Sequence, residues 1–235
     1  MRRRNAQIES IGIVARQLSS IDFPIVFTGG SVVGLLLTDP VAADVRPTDD
    51  VDVIIGITKR TDYAATQIKL TALGFKHDQD GPICRFKFNG LILDLMPTNA
   101  DILGFSNRWY EHAIHTALTH ELPDGTEIQL IAAPVFIATK LEAFFGRGSQ
   151  DFMGSHDLED IIAVIDGRPG LLAEIEAADE SVKIYLAESF ENLLNEDEFV
   201  QSIAAHLPPD PASQEREDIL MERMMQIVAS QMNSK

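Results

Sequence analysis

Three short segments in the first half of the chain carry side chains suited to phosphoryl chemistry. Asp50-Val51-Asp52 puts two carboxylates at alternate positions, and Val53, Ile54 and Ile55 continue the segment. Residues of this kind favour a strand, and its period of two places Asp50 and Asp52 close together on one face. Two like charges side by side repel unless a cation sits between them, and hard divalent ions such as Mg²⁺ take oxygen ligands. The alternative is a solvated strand edge, against which the flanking apolar residues argue. Asp94 is a lone carboxylate in the apolar run 91–96, a costly placement unless the group is paired or metal-bound. Residues 92, 94 and 96 share a face, so Asp94 can point where a neighbouring strand presents Asp50 and Asp52.

The third segment is Gly29-Gly30-Ser31, between a short apolar run at 25–27 and a second at 32–37. Glycines let a backbone approach a ligand closely and take positive φ. A helix that follows presents unpaired N–H groups and a positive dipole end, a natural phosphate site to which Ser31 adds a hydroxyl. A plain tight turn is the alternative. No Lys-Ser/Thr follows, so this is no Walker P-loop, and Val33 stands where a nucleophile elbow needs glycine.

The elements that must position these groups can be read from periodicity. Ile8, Ile11, Ala15 and Leu18 recur at helical spacing, and Asp22 and Pro24 end that helix. Strands are predicted at 25–27 and 51–55, and helices at 32–37 and 62–73, the latter stopped by Gly74. Asn89-Gly90 between runs 83–88 and 91–96 is a strong hairpin signal. Two more strands are predicted at 113–118 and 127–131, about a turn at Pro123-Asp124-Gly125. From Pro134 onward the pattern is helical, with Ser155 capping a helix whose first turn holds Asp157, Glu159 and Asp160. The order is α/β first, then all-α, with domains at 1–133 and 134–235.

Charge separates the same two parts. The 235-residue chain has a formal net charge of −17. Residues 1–150 carry 14 basic and 17 acidic side chains, a net −3, whereas residues 151–235 carry 5 and 19, a net −14. A protein gripping phosphate backbones over its whole surface would not have this balance. Cys84 is the single cysteine, so no intrachain disulfide forms and a reducing compartment is expected. The longest apolar run is far short of a membrane span, and a cytoplasmic protein is expected.

Gly30-Ser31, Asp50/Asp52 and Asp94 together resemble the DNA polymerase β-type nucleotidyltransferase superfamily. Its pattern is a Gly-Gly/Ser turn opening a helix, a strand with Asp-x-Asp, and a third acidic residue on a later strand. The separation between Ser31 and Asp50 is long for that pattern, leaving room for an extra loop at 39–47. Residues 46–52 look like the Arg-x-Thr/Ser-x-Asp-Ile-Asp segment of AbiEii-type nucleotidyltransferases, the toxins of bacterial type IV toxin–antitoxin systems. Lys140, Ala143, Arg147 and Asp151 resemble that family's Lys-x-x-Ala…Arg…Asp stretch. The resemblance covers residues 24–165.

It implies an α+β fold, a nucleotidyltransferase-type mixed β-sheet with flanking helices followed by an all-α C-terminal region. It also implies that Asp50, Asp52 and Asp94 are catalytic and hold two Mg²⁺ ions, with Asp94 a ligand or general base. An acceptor hydroxyl would attack the α-phosphate of an NTP and release pyrophosphate. Gly29, Gly30 and Ser31 would hold phosphates, and Lys140 and Arg147 would balance triphosphate charge. Lys140 as a snorkelling surface lysine, and Arg147 paired with Asp151, are the structural alternatives. Family members point to RNA, tRNA 3′ ends or protein as acceptor, with an antitoxin partner. The −14 helical part instead suits a small cationic acceptor, as in aminoglycoside nucleotidyltransferases. A non-catalytic, nucleotide-binding antitoxin module is the reading from another class, and an oligomer contact through the last helix stays open. His156-Asp157 does not support a His/Asp metal phosphohydrolase, because His112, His115 and His120 lie in or beside strand-like sequence. Asp157 and Asp160 read as helix first-turn acids, and Trp109 and Tyr110 as packing residues.

Overall fold

The structure is a computed structural model that describes residues 2–147 and 151–232. It divides into two compact units, residues 1–34 with 44–132, and residues 35–43 with 133–235.

The first unit opens with α1 (Arg2–Leu18), whose Ile11, Val14 and Leu18 are buried. Next come β1 (Ile25–Thr28) and a 3-10 turn (Gly30–Val32). From there α2 (Val33–Leu36) carries the chain out of the unit. The chain re-enters as β2 (Asp50–Ile55), α3 (Arg60–Ala72), β3 (Lys76–His77), β4 (Arg85–Phe88) and β5 (Leu91–Pro97). The remaining elements are α4 (Ala100–Leu103), α5 (Tyr110–Thr116), β6 (Leu118–Glu121) and β7 (Glu127–Leu130). Among the described residues the strands form one seven-stranded sheet, in the order β3-β4-β5-β2-β1-β7-β6. It is mixed: β2 runs parallel to β5 and β1 parallel to β7, and the other neighbours are antiparallel. The centre of the sheet is β2, where Val51, Val53, Ile54 and Ile55 are at most 2% exposed.

The hairpin at Asn89-Gly90 forms as its sequence predicts. Both residues take positive φ (49° and 86°), the conformation a two-residue turn needs to match strand twist. That turn fixes the register, pairing Phe88 with Leu91 and Arg85 with Asp94. The strand predicted at 113–118 does not form. Residues 110–116 are helical, because Trp109 and Ala113, four residues apart, turn inward together, and β6 starts only at Leu118. His112 and His115 therefore lie on a helix. The two-residue β3 and the one-turn α4 are too short to carry a periodic signal.

The second unit is helical: α6 (Ala133–Gly146), α7 (His156–Gly167), α8 (Leu171–Glu176), α9 (Glu180–Leu194), α10 (Asp197–Ser202), a 3-10 turn (Ile203–His206), α11 (Pro211–Gln214) and α12 (Glu217–Met232). Ser155 caps α7 by accepting from Leu158 N–H at 3.3 Å. At the other end, Arg223 donates to the carbonyls of Ile165 and Asp166 at 2.6 and 2.7 Å, satisfying acceptors that the helix leaves unpaired. Leu186 and Phe190 of α9 and Leu220 and Met224 of α12 are fully buried. Among the described residues no helix is long and apolar enough to cross a membrane. The fold is α+β, a mixed sheet with flanking helices followed by a helical C-terminal region.

Candidate active site

The sheet assembles the three carboxylates. Asp50 and Asp52 share a face of β2, and parallel pairing of β2 with β5 sets Asp52 beside Asp94. Antiparallel pairing of β1 with β2 sets Thr28 opposite Asp52, so Gly29 leaves β1 next to that carboxylate. Gly29 has φ 72° and ψ −169°, a region open essentially to glycine alone. A Cβ there would lie 1.9 Å from Asp52 Oδ2. The sequence thus places glycine where the backbone must both turn and touch a carboxylate. Gly29→Ala is expected to destabilise the chain by about 2–3 kcal/mol through combined backbone strain and overlap. Urea unfolding of the variant measures this, and a loss below about 0.5 kcal/mol would mean the turn relaxes freely.

Ser31 is 2% exposed and its Oγ has no hydrogen-bond partner. It lines a cleft of about 520 Å³ with Arg3, Gln7, Thr48, Asp50 and Gly90. Gln7 Oε1 is likewise buried and without a partner, while its amide nitrogen donates to the Arg46 carbonyl at 2.9 Å. A buried hydroxyl without a partner costs about 1–3 kcal/mol.

Arg85, which the sequence reading passes over, is central. Its Nε and one Nη reach the two oxygens of Asp94 at 2.8 and 2.7 Å, and the same Nη reaches Asp50 Oδ2 at 3.1 Å. Thr48 Oγ1 donates to the other oxygen of Asp50 at 2.6 Å. The hydrogen bonds to Asp94, then the charges of Asp94 and Asp50, hold the guanidinium firmly protonated against burial. Cys84, the neighbouring residue, is buried, and burial followed by the Asp94 charge pushes its thiol up to about 12. The thiol is thus neutral at physiological pH and a poor nucleophile or metal ligand. A hairpin signal could have found Arg85, since the two-residue turn fixes it opposite Asp94.

The donors suit Mg²⁺ in kind, being hard carboxylate oxygens on one face. Their present geometry fits only in part. Among the described residues no three acidic, His or Cys side chains are grouped so as to hold a metal ion. Both oxygens of Asp94 are turned to Arg85.

Lys140 and Arg147 lie in and just after α6, in the second unit. Lys140 Nζ lies 3.1 Å from Asp157 Oδ1 and 2.7 Å from Asp160 Oδ2, and 5.8 Å from the centre of the Phe136 ring. Arg147 pairs with Asp157 at 3.0 Å, whereas the carboxylate of Asp151 accepts from Gly154 N–H at 2.8 Å. Arg147 thus pairs with Asp157 in place of the alternative partner Asp151, which turns back onto its own loop. Asp157 and Asp160 are 2% and 1% exposed. They are not merely dipole-placed first-turn acids but the buried anionic half of an ion cluster. Trp109 is buried, and Tyr110 donates its hydroxyl to Met96 sulfur at 2.9 Å, so both pack.

No family model matches the chain, and no curated protein does. An antigenic nucleotidyltransferase-like protein from Paracoccidioides brasiliensis superposes with a TM-score of 0.50 at 19% identity, covering 85% of this chain and 92% of that one. The antibiotic-resistance factor ANT(2'')-Ia gives 0.46 at 14%, covering 81% and 94%. JHP933 from Helicobacter pylori gives 0.45 at 13%, covering 98% and 90%. The first of these, at a TM-score of 0.50, shares its fold with this chain.

Proposed function

We propose that the chain is a cytoplasmic, Mg²⁺-dependent nucleotidyltransferase that moves a nucleoside monophosphate from an NTP to an acceptor hydroxyl. The observation that carries this reading is Asp50, Asp52 and Asp94 on adjacent strands, beside a glycine turn and a buried, unpartnered Ser31 hydroxyl. Asp50 and Asp52 would hold Mg²⁺, which when bound neutralises phosphate charge and makes an acceptor hydroxyl more acidic. Ser31 and the turn's backbone would hold the triphosphate, and Arg3, which lines the same cleft as Ser31 and Asp50, would add positive charge. Asp94 would serve as the third carboxylate, as base or ligand, once separated from Arg85. Lys140 and Arg147 would meet phosphate only by sharing the contacts they now make with Asp157 and Asp160.

The toxin-type role that the resemblance implies makes RNA, in particular a tRNA 3′ end, or a protein the acceptor, and an antitoxin the partner. A second reading, a small cationic acceptor, is favoured by the net −14 of residues 151–235, because acidic surfaces concentrate cations and repel RNA. The purified chain is incubated with each α-labelled NTP, Mg²⁺, and either total tRNA, protein or an aminoglycoside. Transfer of label to any acceptor, abolished by EDTA, is the expected result, and the labelled class decides between the readings. No transfer together with no NTP binding would overturn the assignment.

A further inference from the structure

The contact between Arg85 and Asp94 bears on how many cations the carboxylates accept. Asp94 gives both oxygens to one guanidinium, in the two-pronged geometry that makes Arg–carboxylate pairs strong and specific. The same guanidinium bridges to Asp50, so a fixed positive charge lies between two of the three proposed catalytic carboxylates. It is anchored by the backbone itself, because β4 and β5 pair Arg85 directly with Asp94. Three carboxylates, one guanidinium and one divalent ion are neutral together. A second divalent ion with Arg85 in place would leave an excess of two positive charges in a partly buried site, where charges are poorly screened.

We propose that Arg85 is a built-in counter-cation that occupies the second cation position, so that the nucleotide-free protein binds one divalent ion, at Asp50 and Asp52. The inference rests on the metal-dependent reading of these carboxylates and departs from the two ions that the family resemblance implies. Arg85 is a positioning residue: it fixes the rotamer and charge of Asp94 and excludes a second ion.

Mn²⁺ binding to the full chain, followed by the loss of the free-ion electron paramagnetic resonance signal without nucleotide, tests this apart from activity. One ion per chain is expected for the wild type, two for Arg85→Gln, and one for Arg85→Lys, which keeps the charge. Asp94→Asn is expected to stay at one, because Arg85 takes both oxygens of Asp94 in a two-pronged pair, whereas it reaches Asp50 through one longer contact and leaves that carboxylate able to share an ion with Asp52. The wild type and Asp94→Asn keep the test decisive should Arg85→Gln fail to fold. Two ions on the wild type, or an ion lost in Asp94→Asn, would overturn the inference and leave the nucleotidyltransferase reading standing. No Mn²⁺ on wild type or on Arg85→Gln would overturn both.

Discussion

Asp52→Asn is expected to lower nucleotide transfer by about 10³-fold or more while leaving the fold as stable as, or more stable than, the wild type. The two halves of this expectation have separate causes. Asp52 lies beside Asp94 in the register of β2 and β5. Replacing one of two neighbouring carboxylates by an isosteric amide relieves repulsion in the resting protein. The same change removes a negative oxygen from the centre of the proposed cation site, and loss of one electrostatic group that stabilises a transition state typically costs ~3–4 kcal/mol or more. The site is therefore expected to show activity bought with stability, a pattern that a merely structural aspartate does not give. Rate of label transfer and the urea midpoint, measured on the same preparation, check it. A variant that transfers label within about tenfold of wild type would remove Asp52 from the catalytic set, since that residual loss is only ~1.4 kcal/mol.

The local half of this site was legible in the sequence. Asp-x-Asp on a β-branched run and Asn-Gly between two strand-like runs are signals within a few residues and form as read, whereas the helix read at 32–37 after the glycine pair is only a 3-10 turn followed by the one-turn α2. Arg85 was legible in principle, because a two-residue turn at 89–90 counts it directly against Asp94. What sequence could not supply was long-range pairing. The adjacency of Asp52 and Asp94 depends on β5 returning parallel to β2 after α3, and nothing in either segment encodes that partner. Asp157 and Asp160 misled for a related reason. Acids in a first helical turn are ordinarily solvated, and only packing of α7 against Lys140 of α6 reveals their burial.

Lys140→Met is expected to destabilise the chain by about 3–5 kcal/mol, the usual consequence of deleting one partner of a buried ion cluster. Methionine replaces the alkyl stem at nearly equal volume, so the loss isolates the ammonium from the packing against Phe136. The geometry supports a large effect. Lys140 Nζ is within 3.1 Å of both carboxylates, whose side chains are only 4% and 1% exposed and so cannot recover hydration when the cation leaves. Arg147 offers little replacement: it pairs with Asp157 from a side chain 66% exposed. Combining Lys140→Met with Asp157→Asn and Asp160→Asn removes the uncompensated charges and is expected to restore most of the stability. The three changes must therefore be strongly non-additive in urea unfolding. The same set separates the two roles that Lys140 can have. If the triple variant regains stability but not nucleotide transfer, the lysine also serves the triphosphate, as the family resemblance implies. If it regains both, the ammonium serves only to neutralise Asp157 and Asp160, and Arg3 and Ser31 of the first unit are left to hold the phosphates. Near-additive losses would show instead that the cluster is hydrated in solution and that burial of the two aspartates does not dominate their energetics.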